Sequence, residues 1–329
     1  MKNQLNKAFT KRSHLIKPPH NSAFRLLNGF LEGIPGVIAE IYGKSLVCHY
    51  YGQFDPSTED PFLTEIITSI RDSFPWLTAG IVKERKSTSS AHRNGRLVFG
   101  TELDTRIQEN GVHYTLNLRM NRDTSFYLDT RNLREWVHDH LNGKTVLNTF
   151  AYTGSIGVAA LAGGASSVTH LDLSHTFLKM AKKSTSLNEL RIDPAHFQIG
   201  DFWSRINQYK KSGRLFDCVI LDPPVFSKTR KGIIDLAKNY PRLINKVRPI
   251  IANNGYLITI NNALFQTGQA HHDELSELCK DGYLSIESLI PIPEDCVGAV
   301  NAPAEGLPAN PAPYNHSTKI TVLNVKRKH

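Results

Sequence analysis

The chain has 329 residues, 40% of them hydrophobic, with a formal charge of +9 and a pI near 9.3. That length predicts two domains, and that composition excludes a disordered polymer. The longest apolar runs (158–162 and 218–221) cannot cross a bilayer, and the first residues lack a secretory signal's apolar core. Cys48, Cys218, Cys279 and Cys296 form no C-x-x-C pair, which argues against zinc or a disulfide framework and for free thiols in a reducing cytoplasm.

Residues 1–21 read as a flexible basic leader. Lys2, Lys7, Lys11, Arg12, Lys17 and Arg25 all precede the first acid, Glu32, and Pro18-Pro19 interrupts the run. A small α+β domain, a candidate RNA-binding unit, is expected over 22–120. Its strands are predicted at 24–27, 36–42 and 45–51, with Gly43-Lys44 as the turn between the last two. Helical spacing of Phe62, Ile66, Ile67 and Ile70 predicts a helix over 61–74, and strands return at 79–82 and 112–118. The polar stretch 84–95 reads as a loop.

The remainder, 121–329, is expected to form one α/β domain, and from Asn132 onward short apolar runs alternate with helical segments. Strands are predicted at 145–150, 168–172, 196–200, 216–221 and 256–260. Helices are predicted at 156–162, 176–188 and 233–251. Two closing strands, 283–291 and 319–325, flank a Pro/Ala/Asn-rich loop over 294–317. Alternation of this kind implies a largely parallel sheet covered on both faces.

The chemistry gathers where those strands end. Asn148-Thr149-Phe150-Ala151-Tyr152-Thr153-Gly154 is a strand end, a small-residue turn and a helix start. In doubly wound folds ligands lie beyond the carboxyl ends of the strands, and a glycine there lets the backbone approach closely. Asp172 ends the next strand, about 20 residues on, where a carboxylate accepts both ribose hydroxyls. No G-x-G-x-x-G is present, which favours a nucleoside without a diphosphate over NAD or FAD. Asp201 ends the third strand and is suited to an adenine amino group with Phe202 against the ring; it is equally suited to capping a helix. Asp222-Pro223-Pro224-Val225-Phe226 follows the apolar strand at 216–221. A carboxylate before two prolines makes a rigid, donor-poor turn, and the aromatic stands ready to stack a flat substrate.

These stretches resemble motifs I to IV of class I S-adenosylmethionine (AdoMet)-dependent methyltransferases. More narrowly, they resemble the family containing the bacterial 23S rRNA cytosine-C5 methyltransferase and the guanine-N7 methyltransferase half of a fused rRNA enzyme. Tyr127-Leu128-Asp129-Thr130-Arg131 is similar to that family's (F/Y)-L-D-x-R segment, and Arg25-Leu26-Leu27 through Gly36 and Tyr42-Gly43 to the start of its small domain. The resemblance covers about residues 22–325. It implies a Rossmann-like class I methyltransferase domain, with a mostly parallel seven-stranded sheet, preceded by a small α+β domain. It implies AdoMet as cofactor, no metal, no membrane, and RNA, specifically large-subunit rRNA, as partner; monomer and dimer stay open. Tyr127, Arg131, Asn148, Phe150, Tyr152, Thr153, Gly154, Asp172, Leu173, Ser174, Asp201, Phe202 and Asp222 are then expected at the cofactor. Asp222, Pro223, Phe226 and Asn261 are expected at the reacting base. Arg131 also suits an ion pair with Glu135 four residues on.

The sequence departs from the cytosine-C5 pattern twice. Only the basic leader stands where those enzymes carry an RNA-binding PUA domain. Where they place a nucleophilic cysteine in Ser-Cys-Ser after the fifth strand, this chain has Asn261-Asn262. Cytosine C5 needs a thiolate adding at C6, and Cys218 lies within a core strand, so the expected target is guanine N7 or another nitrogen. The asparagines are also explained by a polar turn. His271-His272 is expected to open a solvated helix, and Tyr314, Asn315 and His316 to border the site. Two other readings keep open a small-molecule or protein methyl acceptor, or a catalytically silent RNA-binding assembly factor. Retention of Asp222 and Pro223 argues against the latter.

Overall fold

Apolar spacing in the first eleven residues builds a helix, α1 (Lys2–Lys11), which buries Leu5, Ala8 and Phe9 on one face. Their side chains join the core beneath a sheet, and the Phe9 ring meets Phe74 edge-on at 4.9 Å. Arg12 pairs with Glu32 at 2.5 Å. The segment expected to be a flexible leader is therefore a packed element. Periodicity at i, i+3 and i+4 outweighs its basic composition, and Lys2, Lys7, Lys11 and Lys17 remain on its exposed side.

The computed structural model describes residues 1–52, 60–120, 123–297 and 309–327. It divides into two units, Met1–Leu128 with Pro293–Ala304 and Asp129–Ile292 with Glu305–His329. The boundary expected at 120–121 thus moves to 128–129, and the first unit reclaims a later stretch. Asp295 explains the second change, since its carboxylate accepts the Arg25 N–H at 2.8 Å and its carbonyl accepts from Asn28 at 2.9 Å.

The first unit holds a five-stranded sheet ordered β1-β2-β3-β4-β5: β1 (Ala23–Leu27), β2 (Val37–Tyr42), β3 (Ser45–Tyr50), β4 (Ala79–Glu84) and β5 (Arg96–Phe99). Helix α2 (Pro61–Ser73), capped by Asp60, carries the crossover that makes β3 and β4 parallel. The stretch expected as a loop contains a short helix, α3 (Ser90–Asn94). A hairpin of β6 (Arg106–Glu109) and β7 (Val112–Thr115) turns at Asn110-Gly111, both at positive φ. That dipeptide is a strong hairpin signal which the strand patterns alone had not exposed.

The second unit begins with α4 (Arg131–His140) and contains a seven-stranded sheet. In chain order the elements are β8 (Thr145–Thr149), α5 (Ser155–Ala162), β9 (Ser167–Asp172), α6 (His175–Leu187), β10 (Phe197–Ile199), α7 (Phe202–Ser212) and β11 (Phe216–Leu221). A hairpin follows, β12 (Phe226–Thr229) with β13 (Gly232–Asp235), then α8 (Leu236–Val247), β14 (Ile251–Asn261), α9 (Gly268–Cys279), β15 (Leu284–Ile290) and β16 (Lys319–Val325). The sheet order is β10-β9-β8-β11-β14-β16-β15, with β16 alone antiparallel to both neighbours. The Rossmann-like class I fold expected from the sequence is the fold observed. The helix expected over 233–251 begins instead at Leu236, because exposed Ile233 and buried Ile234 alternate as a strand does.

Candidate active site

Parallel pairing of β10, β9, β8, β11 and β14 brings five strand ends to one edge, where Asp172, Asp201, Asp222 and Asn261 fall. Each is held differently.

The turn after β8 is tightly wound. Phe150 and Tyr152 both adopt left-handed φ, at 54° and 51°, a conformation that costs a non-glycine residue about 1–3 kcal/mol. The neighbouring strand β9 holds it there: the Ala151 N–H donates to the Leu171 carbonyl at 3.0 Å and the Tyr152 N–H to Asp172 at 2.9 Å. Gly154, at φ 79°, must be glycine, because a Cβ would come within 2.4 Å of the Ala181 Cβ. Thr149 donates to the Ile220 carbonyl at 2.7 Å, Thr153 is buried, and the Asn148 amide has no hydrogen-bond partner among the described residues. The result is a strained loop with a buried open amide, suited to a tightly seated ligand.

Asp172 organises that turn. Its carboxylate accepts from the Tyr152 and Ser174 amides at 2.9 and 2.8 Å and from the Leu173 amide. Burial raises its pKa, and the three amides pull the other way. Two carboxylate oxygens offer about four acceptor positions, so with three amides bound about one remains for a ribose hydroxyl. Leu173 beside it is a largely exposed apolar side chain, and Ser174 caps α6.

Asp201 has two structural partners. One oxygen caps α7 through the Ser204 amide at 3.0 Å, and the other accepts the Thr229 hydroxyl at 2.7 Å, tethering the β12–β13 hairpin. Phe202 is 4% exposed and stacks on Phe150 at 4.8 Å between centroids. It supports the β8 turn from the core; the exposed adenine platform expected of it is not what its ring supplies.

Asp222 stands apart. No described residue donates a hydrogen bond to its carboxylate. Burial, with the nearby Asp129 charge adding to it, pushes its pKa up to about 7. Asp129 is in turn held by the Thr318 hydroxyl at 2.9 Å. Pro223 is buried, whereas Phe226 is 63% exposed at the start of the hairpin. Leu264 and Phe265, after the next strand, are similarly exposed. A proton acceptor on an edge that also carries exposed apolar side chains can take a proton from a planar ring bound there.

Asn261 is not free for substrate. It is fully buried, its Nδ2 donates to Gln266 at 2.9 Å, and its Oδ1 accepts the Ala263 N–H at 2.9 Å. It shapes the β14–α9 turn, as its polar-turn explanation allowed. The open amide is its neighbour: Asn262 Oδ1 is buried without a partner. His271 is likewise buried beside Asn261 at 3.3 Å, not on a solvated helix start, because it fills the face of α9 against Tyr240. Tyr314 bonds Thr321 at 2.8 Å and Asn315 pairs both ways with Ile292, so both are structural. His316 accepts the Thr318 amide at 3.0 Å. Arg131 opens α4, while Tyr127 closes the first unit, with its hydroxyl toward Asp123.

The model of the S-adenosylmethionine-dependent methyltransferase family matches residues 81–275. The chain belongs to that family. It is 33% identical over 263 residues to the ribosomal RNA large subunit methyltransferase I of Aeromonas salmonicida, covering 78% of this chain and 65% of that protein. A Bacillus subtilis relative, also named for ribosomal RNA large subunit methylation, is 30% identical and covers 79% of this chain and 66% of its own length. The chain thus spans just under two thirds of these relatives. A solved candidate methyltransferase complexed with SAH superposes with a TM-score of 0.84 at 25% identity, covering 98% of this chain and 80% of that one.

Family membership makes AdoMet the cofactor, and the open amide of Asn148, the strained turn and the spare acceptor position of Asp172 fit its nucleoside. Three residues were missed in the sequence. Lys319 is buried on β16 and donates to the carbonyls of Ala263, Gln266 and Ser317 at 3.0, 3.2 and 2.7 Å, holding the loop of Leu264 and Phe265. Burial lowers it to about 8. His170 lies under the turn, its pKa lowered to about 4 by burial, with Gly157 leaving room for its ring. Thr229 ties the hairpin to Asp201. A buried lysine and histidine inside strands do carry a signal, since such residues seldom sit there unpaired.

Proposed function

We propose that this chain transfers a methyl group from AdoMet to a ring or exocyclic nitrogen of a base in large-subunit rRNA, working in the cytoplasm as a monomer or dimer. The observation that carries the nitrogen assignment is the reacting edge itself, where the polar groups are Asp222 and the Asn262 amide. No thiol serves there. Cys218 is buried within β11 with its thiol pushed up by burial. Cys279 ends α9, about 17 Å along the helix from its first residue, Gly268. Cys48 and Cys296 are buried, and burial pushes the Cys48 thiol up.

AdoMet supplies an electrophilic methyl group on a sulfonium. Asp172 holds the ribose, Gly154 and the strained turn admit the nucleoside, and Arg131 faces the carboxylate end. Phe226 stacks on the target base, and Asn262 with the Pro223 carbonyl holds its edge. A guanine N7 lone pair forms the new N–C bond as the S–C bond breaks, leaving a cationic base that the Asp222 carboxylate offsets. With an exocyclic amine the same carboxylate takes the departing proton, and an acceptor near pH 7 is well matched to that transfer. The relatives' names favour rRNA over a small molecule or protein.

The test is incubation of purified protein and AdoMet with 23S rRNA lacking the modification, then nuclease digestion and mass spectrometry. A 7-methylguanosine or N-methylated base is expected. A 5-methylcytidine would overturn the nitrogen assignment, and no incorporation into any rRNA particle would overturn the substrate.

A further inference from the structure

An open groove of about 590 Å³ runs between α6 and the edge strand β10 of the second unit. Phe197 and Ile199 form part of its apolar floor, and Lys179, Lys182 and Lys183 stand along its wall. Positions i, i+3 and i+4 put the three ammonium groups on one face of the helix. All three are exposed, and none makes an ion pair or hydrogen bond among the described residues. No acid lines the groove; Asp193, adjacent in sequence to two lining residues, is turned to the Ala195 amide at 2.9 Å. Three cations without counter-charges on a surface with an apolar floor make a complement for a polyanion that also carries flat apolar faces.

The groove starts at the reacting edge. Ile199 pairs in register with Asp172, and His175, at the same mouth, follows the Ser174 that Asp172 holds. From His175 to Ser186 the helix covers about 17 Å. Three strand spacings, β11 to β10, separate Asp222 from this mouth, about 14 Å. A few extended nucleotides bridge that distance.

We propose that this groove binds single-stranded RNA flanking the target base, with Lys179, Lys182 and Lys183 neutralising successive phosphates and bases resting on the Phe197–Ile199 floor. The inference rests on the RNA reading above, but it concerns binding and can fail separately.

The test is binding of a fluorescein-labelled oligouridine of about 20 nucleotides by anisotropy, across a salt series. The native protein is compared with Lys179→Gln/Lys182→Gln/Lys183→Gln and with the equally charged control Lys2→Gln/Lys7→Gln/Lys11→Gln. Each single-strand phosphate contact contributes about 0.7 to the slope of log affinity against log salt. The groove variant should therefore lose roughly 2 units of slope, keep AdoMet affinity within twofold and keep its Tm. The control should keep the native slope. Equal losses in both variants would show diffuse charge and overturn the groove, as would an unchanged slope in the groove variant or no binding by the native protein. If the slopes behave as expected but 23S rRNA is not methylated, the groove stands and the substrate assignment falls.

Discussion

Asp172 and Asp222 end two strands of the same sheet with one strand between them, yet their surroundings are opposite. Asp172 is surrounded by amides from two turns, and those hydrogen bonds favour the charged form against its burial. Asp222 is followed by two prolines, which have no N–H to donate, so the turn that positions it offers nothing to its carboxylate. Burial and Asp129 then lift it to about 7. On the proposed roles, the difference teaches that backbone donors divide a binding carboxylate from a reacting one. Proline is the device that withholds them.

The largest expected effect comes from removing the unsupported member. With an exocyclic amine as target, Asp222→Ala should lower kcat by roughly 10²–10⁴-fold, the range for loss of a positioned proton acceptor, with AdoMet affinity changed by under threefold. In the native enzyme the ionised carboxylate is the active form, so kcat should fall as pH drops below about 7. Steady-state rates against pH, with calorimetry of AdoMet, measure both. A similar loss of cofactor affinity would mean that Asp222 serves AdoMet and not the base.

Asp172→Ala should do the reverse. Charged hydrogen bonds contribute about 1.5–3 kcal/mol, so AdoMet should bind roughly 10- to 150-fold more weakly. Turnover at saturating AdoMet should largely recover. Unchanged affinity would remove Asp172 from the ribose and leave it as a turn-builder for Tyr152 and Ser174.

A smaller effect concerns stability. The folded pKa of Asp222 is raised from 3.8, so its ionisation costs stability; the cost is absent below about pH 4, grows toward pH 7 and is complete above it. Asp222→Asn should therefore stabilise the protein at pH 8, on the order of 1–2 kcal/mol, and leave it nearly unchanged at pH 4. Denaturant melts at the two pH values test this. Equal shifts at both would show that the carboxylate is not strained by its charge.

Much of this was legible in the sequence because strand ends and turns obey local rules. The apolar runs fixed the sheet's strands, and Gly154, Asp172 and the Asp222-Pro223-Pro224 turn lie at the predicted edge. What stayed hidden depended on partners far along the chain. Asp201 has the sequence of a ligand residue, but the Thr229 hydroxyl, on a hairpin that no predicted strand covers, donates to one of its oxygens and the Ser204 amide to the other. Asn261 and Asn262 are indistinguishable as letters; only the Gln266 and Ala263 contacts show that the first is spent and the second open. The leader looked mobile because charge was weighed before periodicity, although Leu5, Ala8 and Phe9 already carried the helical spacing.

The smallest expected effect tests whether Asp222 works without a thiol. If the reacting edge relies on a carboxylate and amides, no cysteine takes part in bond making. Replacing Cys48, Cys218 and Cys296 with Ala and Cys279 with Ser should then leave the methylation rate within an order of magnitude. Cys218 is the informative position. It is fully buried in β11 three residues before the strand's last residue, Leu221, and burial raises its thiol, so a reactive thiolate there is disfavoured twice over. Its removal leaves a small cavity, so folding should be checked by calorimetry, with Cys218→Val as the volume-conserving alternative. RNA containing 5-fluorocytosine provides the complementary measurement, because a thiolate adding at C6 traps a covalent protein–RNA adduct. A trapped adduct, or a Cys218→Val rate reduced a hundredfold with the fold intact, would restore cysteine chemistry and make Asp222 a binding residue like Asp172.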